Sequence, residues 1–167
     1  MTVRDPCKHG GVHHDRPGHL RRARLDDADQ LLSLWDLLFD EGDPPPATAW
    51  RGHALDWFAS HVDDSTSAHL PVIDVEGSLV AAAIGTVELG VPNPHCPRGR
   101  GARLANVITL PAHRGRGYAT ELIRDVVKWA EVVGADRIDL SATRDGQRIY
   151  EQLGFALTSA PRMKLVL

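Results

Sequence analysis

The sequence predicts an α/β or α+β domain in which helices pack on a mixed β-sheet. Segments of helical periodicity alternate with short apolar segments, and the predicted order is two helices followed by ββαβαβ. The chain has 167 residues, of which 43% are apolar and 25% are charged, and this composition suits one globular domain. We therefore expect a flexible tail over residues 1–18 and a single folded domain over residues 19–167.

The first half of this domain is predicted to begin with a short strand at Leu20–Arg24 and to continue with two helices. Asp26 or Asp27 is expected to cap the first helix, whose leucines recur at helical spacing. A second helix is predicted over about Thr48–Val62, after a break at Gly42 and the prolines that follow it. The aromatic residues of these helices are expected in the core: Trp35, Trp50, Trp57 and Phe58.

The second half is predicted to alternate strands, turns and helices. Two strands, His69–Glu76 and Leu79–Leu89, are joined by a tight turn at Glu76-Gly77. A loop rich in Pro, Gly and Arg follows over Gly90–Gly101, and Leu104–Leu110 is a buried strand. A helix is then predicted from about Gly117 to Gly134, with one apolar stripe formed by Tyr118, Ala119, Leu122, Ile123, Val126, Val127, Ala130 and Val133. The remaining elements are a strand at Arg137–Ala142, a short helix at Gln147–Leu153, and a final hairpin of Phe155–Leu157 and Met163–Leu167.

Composition excludes several classes of protein. A net charge of −3 and a pI near 6.3 argue against a generally basic nucleic-acid binder. Two cysteines, Cys7 and Cys96, cannot form a disulfide framework, and the spacing of Cys7 and the histidines near it matches no zinc module, so we expect no metal. The longest apolar run is far shorter than the roughly 20 residues of a membrane span, and the N-terminus has no secretory character. We expect a cytoplasmic protein with no membrane partner.

Charge is segregated along the chain. Between Asp26 and Asp64 carboxylates recur and Arg51 is the only Lys or Arg, whereas the stretch from Leu89 to Thr120 contains five arginines and no acid. Such segregation can give one surface that attracts cations and another that attracts anions. It is equally compatible with two solvated surfaces that merely differ in charge.

A glycine-rich turn follows the predicted strand Leu104–Leu110 and precedes an amphipathic helix. This arrangement presents unpaired backbone N–H groups and the positive end of the helix dipole to an anion. Gly115 and Gly117 allow close approach of the backbone, and Arg114 and Arg116 add charge. The alternative is a tight turn that needs glycines only for its geometry. Neither the phosphate-binding string GxxxxGK[ST] nor the dinucleotide-binding string GxGxxG is present.

Two signatures make the chain resemble the GNAT superfamily of N-acetyltransferases. The string Arg114-Gly115-Arg116-Gly117-Tyr118-Ala119 fits the family pattern (Q/R)-x-x-G-x-(G/A), and the strand before it, Asn106-Val107-Ile108-Thr109-Leu110-Pro111, resembles the family's fourth strand. Further along, Ile149-Tyr150-Glu151-Gln152-Leu153-Gly154-Phe155 resembles the second signature, typically YexLGF. The resemblance covers about residues 19–167. It implies a mixed, mostly antiparallel sheet flanked by helices, with the family's fourth and fifth strands splayed apart.

The same resemblance implies acetyl-CoA as co-substrate and direct transfer of its acetyl group to a primary amine. The strand backbone would align the pantetheine arm and provide an oxyanion donor, and the turn would hold the pyrophosphate. The residues implied for this binding are Val107, Ile108, Thr109, Arg114, Gly115, Arg116, Gly117, Tyr118, Ala119 and Thr120.

Catalytic residues are only partly implied. Tyr150 stands at the family's general-acid position, and a tyrosine pKa near 10 keeps its proton at neutral pH. Many relatives carry a glutamate just before the Asn-Val pair, where this chain has Ala105, so Glu88 is the first candidate for the base and His95 the second. Thr143 stands near the place of an asparagine common in the family.

The acceptor and the assembly are not fixed by the sequence. A small-molecule or peptide amine is expected, and the acidic stretch favours a cationic one; in the family, acceptors enter near the first two helices, where one of the aromatic residues could line the pocket. The chain is compatible with a homodimer. A CoA-binding sensor or regulatory module without turnover is the alternative function, favoured by Ala105. A nucleic-acid contact through the arginines between Arg98 and Arg116 is a weaker alternative.

Overall fold

The computed structural model of the protein describes residues 18–39, 49–159 and 163–165. The predicted tail lies outside these ranges except for its last residue, as do the prolines after the first helix. Strands span His19–Arg22 (β1), Ala68–His69 (β2), Pro71–Val75 (β3), Ser78–Leu89 (β4), Arg100–Thr109 (β5) and Arg137–Asp139 (β6). Helices span Ala28–Phe39 (α1), Ala49–His61 (α2), Tyr118–Val132 (α3) and Arg144–Gln152 (α4).

The strands form one mixed sheet in the order β1-β3-β4-β5-β6, and β2 pairs with β4 alongside β3. Every pairing is antiparallel except that of β5 with β6, which is parallel. The β3–β4 turn contains Glu76 and Gly77, both with positive φ, as a tight hairpin turn requires. The prediction of a mostly antiparallel sheet flanked by helices is confirmed.

The two parallel strands diverge soon after they meet. β5 and β6 pair only from Gly101 with Arg137 to Arg103 with Asp139, although β5 continues to Thr109. Beyond Arg103, β5 keeps its pairing with β4 on one side and has no strand of the described chain on the other. These strands correspond to the splayed pair that the resemblance implies, and the gap between them exposes backbone hydrogen-bonding groups.

The sheet carries a separate apolar core on each face. α1 and α2 cover one face, where Leu31, Phe58 and Leu70 are fully buried. α3 covers the other face with Leu122, Val126 and Trp129, and Trp129 had not been placed in the predicted stripe. The sheet is therefore the middle layer of three, and the two cores hold β4 and β5 firmly.

Two local expectations were wrong. Asp27 does not cap the first helix by bonding forward; it lies in a 3-10 turn (Leu25–Asp27), and its carboxylate accepts the backbone N–H of Arg24 at 2.7 Å. This orientation also brings the carboxylate onto the partly buried guanidinium of Arg21, at 2.7 Å. The loop after β4 also ends earlier than expected, because β5 already begins at Arg100.

The predicted C-terminal hairpin does not form in the part of the chain that the structure describes. Phe155–Leu157 and 163–165 adopt no strand, and 160–162 and 166–167 lie outside the described ranges. A hairpin would bury alternate apolar side chains on the sheet, whereas Leu157, Met163 and Leu165 are 77%, 91% and 84% exposed. The apolar composition of these segments therefore misled the strand assignment.

Candidate active site

The turn between β5 and α3 is open and rich in unpaired backbone donors. Gly115 and Gly117 have φ values of +76° and +84°, and a Cβ built on either would meet nothing within 4 Å. Within the described chain, no backbone carbonyl accepts the N–H of Tyr118, Ala119 or Thr120, and no side chain caps the helix. These amides point along the axis of a helix of 15 residues, so the turn offers an anion several donors and the positive end of a dipole.

Side chains around this turn hold it against the end of β5. Arg114 donates from Nε to the carbonyl oxygen of Thr109 at 3.3 Å. The Thr109 hydroxyl is buried and has no hydrogen-bond partner. Its Oγ1 is therefore a polar atom that lacks the bond that buried groups normally make.

The Tyr118 side chain belongs to the core rather than to the turn. It is 7% exposed, and its hydroxyl accepts the backbone N–H of Gly18 at 3.0 Å. Only the backbone of Tyr118 faces the open turn. The cofactor-binding role predicted for this residue is thus one that its amide alone can perform.

A β-bulge lies in β5 beyond the last residue of this strand that pairs with β6. Ala82 pairs with Ile108 and Ile84 pairs with Ala105, so β5 carries one more residue than β4 over this interval. Asn106 takes up the extra residue with φ +50°, a left-handed conformation that asparagine tolerates better than most residues. The bulge was not predicted from the sequence, although the Asn-Val pair was noted. An asparagine inside an apolar strand was the available signal for it.

A cavity of about 300 Å³ lies between the first two helices and this bulge. It is lined by Trp35, Trp50, Ala54, Trp57, Ile84 and Asn106. Trp35 and Phe58 are buried in the core, as expected, and Trp50 and Trp57 are partly buried against it, but the three tryptophans also form walls of this cavity. The cavity places aromatic surface next to the bulge of β5, in the part of this strand that no longer pairs with β6.

Tyr150 lies on α4, on the other side of the diverging strands. It packs edge-to-face against Phe155, with ring centroids 5.9 Å apart, and it borders a second cavity of about 450 Å³ formed with β6 and residues 153–158. Burial raises the pKa of the Tyr150 hydroxyl above its usual value near 10, so the group stays protonated at neutral pH. No residue in the described ranges hydrogen-bonds to this hydroxyl.

The two candidate bases lie away from the bulge. Glu88 pairs with Gly101 across the ladder, four residues along β4 from Ile84, which is roughly 13 Å at the rise of a strand. Its carboxylate contacts Arg103 at 3.5 Å. His95 is exposed in the loop beyond the end of β4. The structure brings neither residue to the bulge, and their role as base stays a prediction.

Carboxylates of the acidic stretch are partly engaged elsewhere. Asp27 is bound by Arg21, which also binds Asp74 at 2.9 Å, and Asp36 forms an ion pair with Arg51. None of the described residues that line the tryptophan cavity carries an ionisable side chain. The described residues also contain no cluster of three His, Cys, Asp or Glu side chains placed to bind a metal ion.

Comparison with known proteins identifies the family. A model of the acetyltransferase (GNAT) family matches residues 30–155. The chain belongs to the GNAT family of acetyltransferases. The matched residues include the glycine turn, the bulged strand and Tyr150, so the GNAT resemblance inferred from the two signatures is confirmed. No curated protein matches the sequence.

Solved structures confirm the GNAT fold. A predicted acetyltransferase with acetyl-CoA from Clostridium acetobutylicum has a TM-score of 0.78 at 23% identity, covering 89% of this chain and 96% of that one. A GCN5-related N-acetyltransferase from Ralstonia eutropha JMP134 has a TM-score of 0.76 at 22% identity, with coverage of 89% and 98%. Glucosamine-6-phosphate N-acetyltransferase from Arabidopsis thaliana has a TM-score of 0.71 at 14% identity, with coverage of 89% and 97%.

The residues present fit acetyl-CoA as a ligand of this GNAT chain. The unpaired amides after Gly117 match a pyrophosphate, and the unpaired edge of β5 matches a chain that carries amide groups. Among the helices of the described residues, none combines the length and apolar character that crossing a bilayer requires.

Proposed function

We propose that this GNAT protein is an N-acetyltransferase that moves the acetyl group of acetyl-CoA directly to a primary amine of a small molecule or peptide. One observation carries the proposal: the unpaired edge of β5, with its bulge, leads directly into a turn of unpaired amides at the start of α3. A ligand with an amide-bearing arm and a diphosphate would match both parts in this order.

Binding is assigned to backbone groups for the most part. The strand edge at Val107, Ile108 and Thr109 would pair with the pantetheine arm as an added strand does. The amides of residues 117–120 would hold the pyrophosphate, and Arg114 and Arg116 would contribute charge near it. When bound, acetyl-CoA supplies the acetyl group as an activated thioester.

Catalysis would use one backbone donor and one side chain. A backbone N–H at the bulge would stabilise the negative charge that develops on the thioester oxygen. Tyr150 would donate its proton to the thiolate as the C–S bond breaks and the N–C bond forms. The amine releases a proton to solvent, and the tyrosine recovers one from solvent. The raised pKa of Tyr150 suits this role, because the hydroxyl carries its proton whenever the thiolate leaves.

Removal of the amine proton is the step for which the base remains to be assigned to a residue. An alkyl amine is only about one part in a thousand neutral at pH 7.4, so a base or a water relay accelerates the reaction. Glu88 is the carboxylate to test, although the strand register leaves it roughly 13 Å from the bulge. The cationic acceptor favoured by the acidic stretch is likewise a proposal, and the ion pairs of Asp27 and Asp36 weaken it.

Thiol release from acetyl-CoA, measured across a panel of neutral, aromatic and polycationic amines, tests the proposal. We expect turnover with at least one amine, and a fall of about 10²-fold in kcat for Tyr150→Phe with little change in acetyl-CoA affinity. Glu88→Gln in the same assay tests the base. Unchanged kcat in Tyr150→Phe would remove this residue from the mechanism.

A sensor that binds CoA without turnover is the second candidate function. This function is favoured by Ala105, which stands in place of the glutamate that many relatives carry, and by the absence of an ionisable side chain among the described residues that line the tryptophan cavity. Calorimetric binding of acetyl-CoA with no thiol release for any amine would support the sensor and reject the transferase.

A further inference from the structure

We propose that Gly154 and Phe155 are positioning residues, which hold Tyr150 in place for its role as general acid. The inference rests on the proposed acetyl transfer and adds two residues to the same site. It is carried by the way in which α4 ends, where a backbone hydrogen bond and a ring contact both join Phe155 to Tyr150.

The helix that carries Tyr150 is short and lies at the surface. α4 has nine residues, none of which is buried in the described structure, and Tyr150 stands in its last turn. Helices of this length are marginal in water without tertiary packing, and helix ends fray. Local interactions at this end of α4 therefore matter more for the position of the tyrosine than they would in a buried helix.

α4 ends in a Schellman motif, and the carbonyl oxygen of Tyr150 closes it. Gly154 has a φ of +91° and donates its N–H to the Glu151 carbonyl oxygen at 3.0 Å. Phe155 donates its N–H to the Tyr150 carbonyl oxygen, also at 3.0 Å, which is the 6→1 bond of the motif. The N–H of Leu153 donates to the same oxygen at 3.0 Å. Two donors therefore fix the backbone of Tyr150.

The ring of Tyr150 is held by the same motif. In a Schellman motif, the residue after the glycine often makes an apolar contact with the helix residue five positions before it. Here these residues are Phe155 and Tyr150, whose rings pack edge-to-face with centroids 5.9 Å apart and planes at 78°. The backbone and the side chain of the tyrosine are thus anchored by one neighbour.

The motif gives a physical reason for the spacing in the second sequence signature. Its tyrosine, glycine and phenylalanine stand at i, i+4 and i+5, the positions that the motif brings together. α3 ends in the same way at Gly134, with φ +73°, where Ala135 donates to the Ala130 carbonyl oxygen at 2.9 Å. Alanines there occupy the places of the phenylalanine and the tyrosine, so the motif can end a helix without aromatic residues. The aromatic pair on α4 therefore has a role beyond ending the helix.

The position of Tyr150 matters because a general acid acts only within hydrogen-bond reach of the atom that it protonates. A displacement of about 1 Å can cost about 10²-fold in rate. Loss of the Phe155 ring or of the left-handed turn at Gly154 would loosen the tyrosine. We expect such changes to lower kcat and to leave acetyl-CoA affinity unchanged, because neither residue belongs to the edge of β5 or to the turn before α3.

A double-mutant cycle tests the coupling between Phe155 and Tyr150. Thiol release from acetyl-CoA is measured with the most active amine of the panel for Phe155→Leu, Tyr150→Phe and the double variant. We expect Phe155→Leu to lower kcat about tenfold in the parent protein, but by less than about twofold in the Tyr150→Phe background, because the ring then has no acid to position. A tenfold loss in both backgrounds would overturn the inference and leave the proposed acetyl transfer standing.

The same cycle separates this inference from the proposed function. No thiol release with any amine, or an unchanged kcat in Tyr150→Phe, would overturn the acid role and the positioning residues together. An unchanged kcat in Phe155→Leu, with a lowered kcat in Tyr150→Phe, would overturn the positioning residues alone.

A matched pair of glycines tests the motif. A Cβ would meet nothing within 4 Å at Gly154, and only the Arg98 side chain, at 3.4 Å, at Gly134. We expect Gly154→Ala to lower kcat about fivefold and Gly134→Ala to leave it unchanged, although both strain a left-handed residue. Gly154→Asn should restore kcat to within about twofold of the parent value, because asparagine tolerates this conformation. Equal kcat values in the two alanine variants would contradict the role of the motif.

Tyrosine ionisation provides a readout independent of turnover. The chain contains two tyrosines, so subtracting the absorbance titration of the matching Tyr150→Phe variant isolates Tyr150. Because burial raises the pKa of Tyr150, we expect Phe155→Ala to lower this pKa toward its ordinary value near 10. Calorimetric binding of acetyl-CoA is the folding control for each variant. An unchanged pKa in Phe155→Ala would overturn the inference, because the phenylalanine ring would then not hold the tyrosine in its buried position.

Discussion

Individual residues at the site differ in what the amino-acid type can reveal. Gly115 and Gly117 are visible in the sequence because a positive φ strongly favours glycine, and both adopt one. Asn106 also has a positive φ, but an asparagine inside an apolar strand is a weaker signal of a bulge than a glycine is of a turn. Asp27 is likewise ambiguous, because the same residue type can cap a helix or, as here, bind a buried guanidinium. Its role depended on Arg21, a residue on a different element.

The pairing of Asp27 makes stability depend on pH. The Arg21 guanidinium holds the pKa of the Asp27 carboxyl below its usual range, despite burial. This stabilisation is present above about pH 4, the ordinary carboxyl pKa, and is lost as pH falls through the depressed one. We expect Asp27→Asn to lower the free energy of unfolding by about 3 kcal/mol at pH 7, and by less at an acidic pH below the depressed pKa of Asp27.

Urea unfolding at both pH values checks this expectation. Asp26→Asn is the control, because its carboxylate is the exposed neighbour in the same turn. A loss in Asp27→Asn that is equal at both pH values would exclude the ion pair as its cause.

Among the secondary-structure elements, those with a strong apolar period were predicted well. α3 begins and ends within a residue or two of its prediction, because a glycine stands at each end and the period between them is clear. The prediction of a C-terminal hairpin was wrong for the described residues, because short apolar segments show no period. Whether their side chains are buried depends on a partner strand. The cavity also lay beyond prediction, because tryptophans in a helix look the same whether they fill a core or line a space.

The packing of α3 on β4 depends on a missing side chain. A Cβ at Gly85 would lie 2.7 Å from the Trp129 ring and 2.8 Å from Val126. We expect Gly85→Ala to lower the free energy of unfolding by about 1–3 kcal/mol, measured by urea denaturation. Gly52→Ala, on α2 with nothing within 4 Å, should be neutral or stabilise by up to about 1 kcal/mol. The idea fails if Gly85→Ala is as stable as Gly52→Ala.

At the scale of the whole molecule, the two cores and the splayed strands together place the edge of β5 beside the turn that begins α3. The three-layer packing holds β4 and β5 rigidly, while the early end of β6 leaves the far edge of β5 free beside the turn of α3. The tryptophan cavity lies on the α1–α2 side of this edge, and Tyr150 lies on α4. The two sequence signatures predicted the family and the glycine turn, but the tryptophan cavity depends on contacts between distant segments.

The central claim is that backbone amides in the turn after β5 bind the diphosphate of acetyl-CoA. Calorimetric titration of acetyl-CoA into the full chain tests it most directly, with Gly117→Val compared to Gly77→Val. Both glycines have a φ near +85° and nothing within 4 Å, so both variants impose similar backbone strain, but Gly77 lies in the distant β3–β4 turn. We predict binding that Gly117→Val weakens more than tenfold and Gly77→Val leaves intact. No heat with the parent protein, or equal affinities for the two variants, would contradict the account.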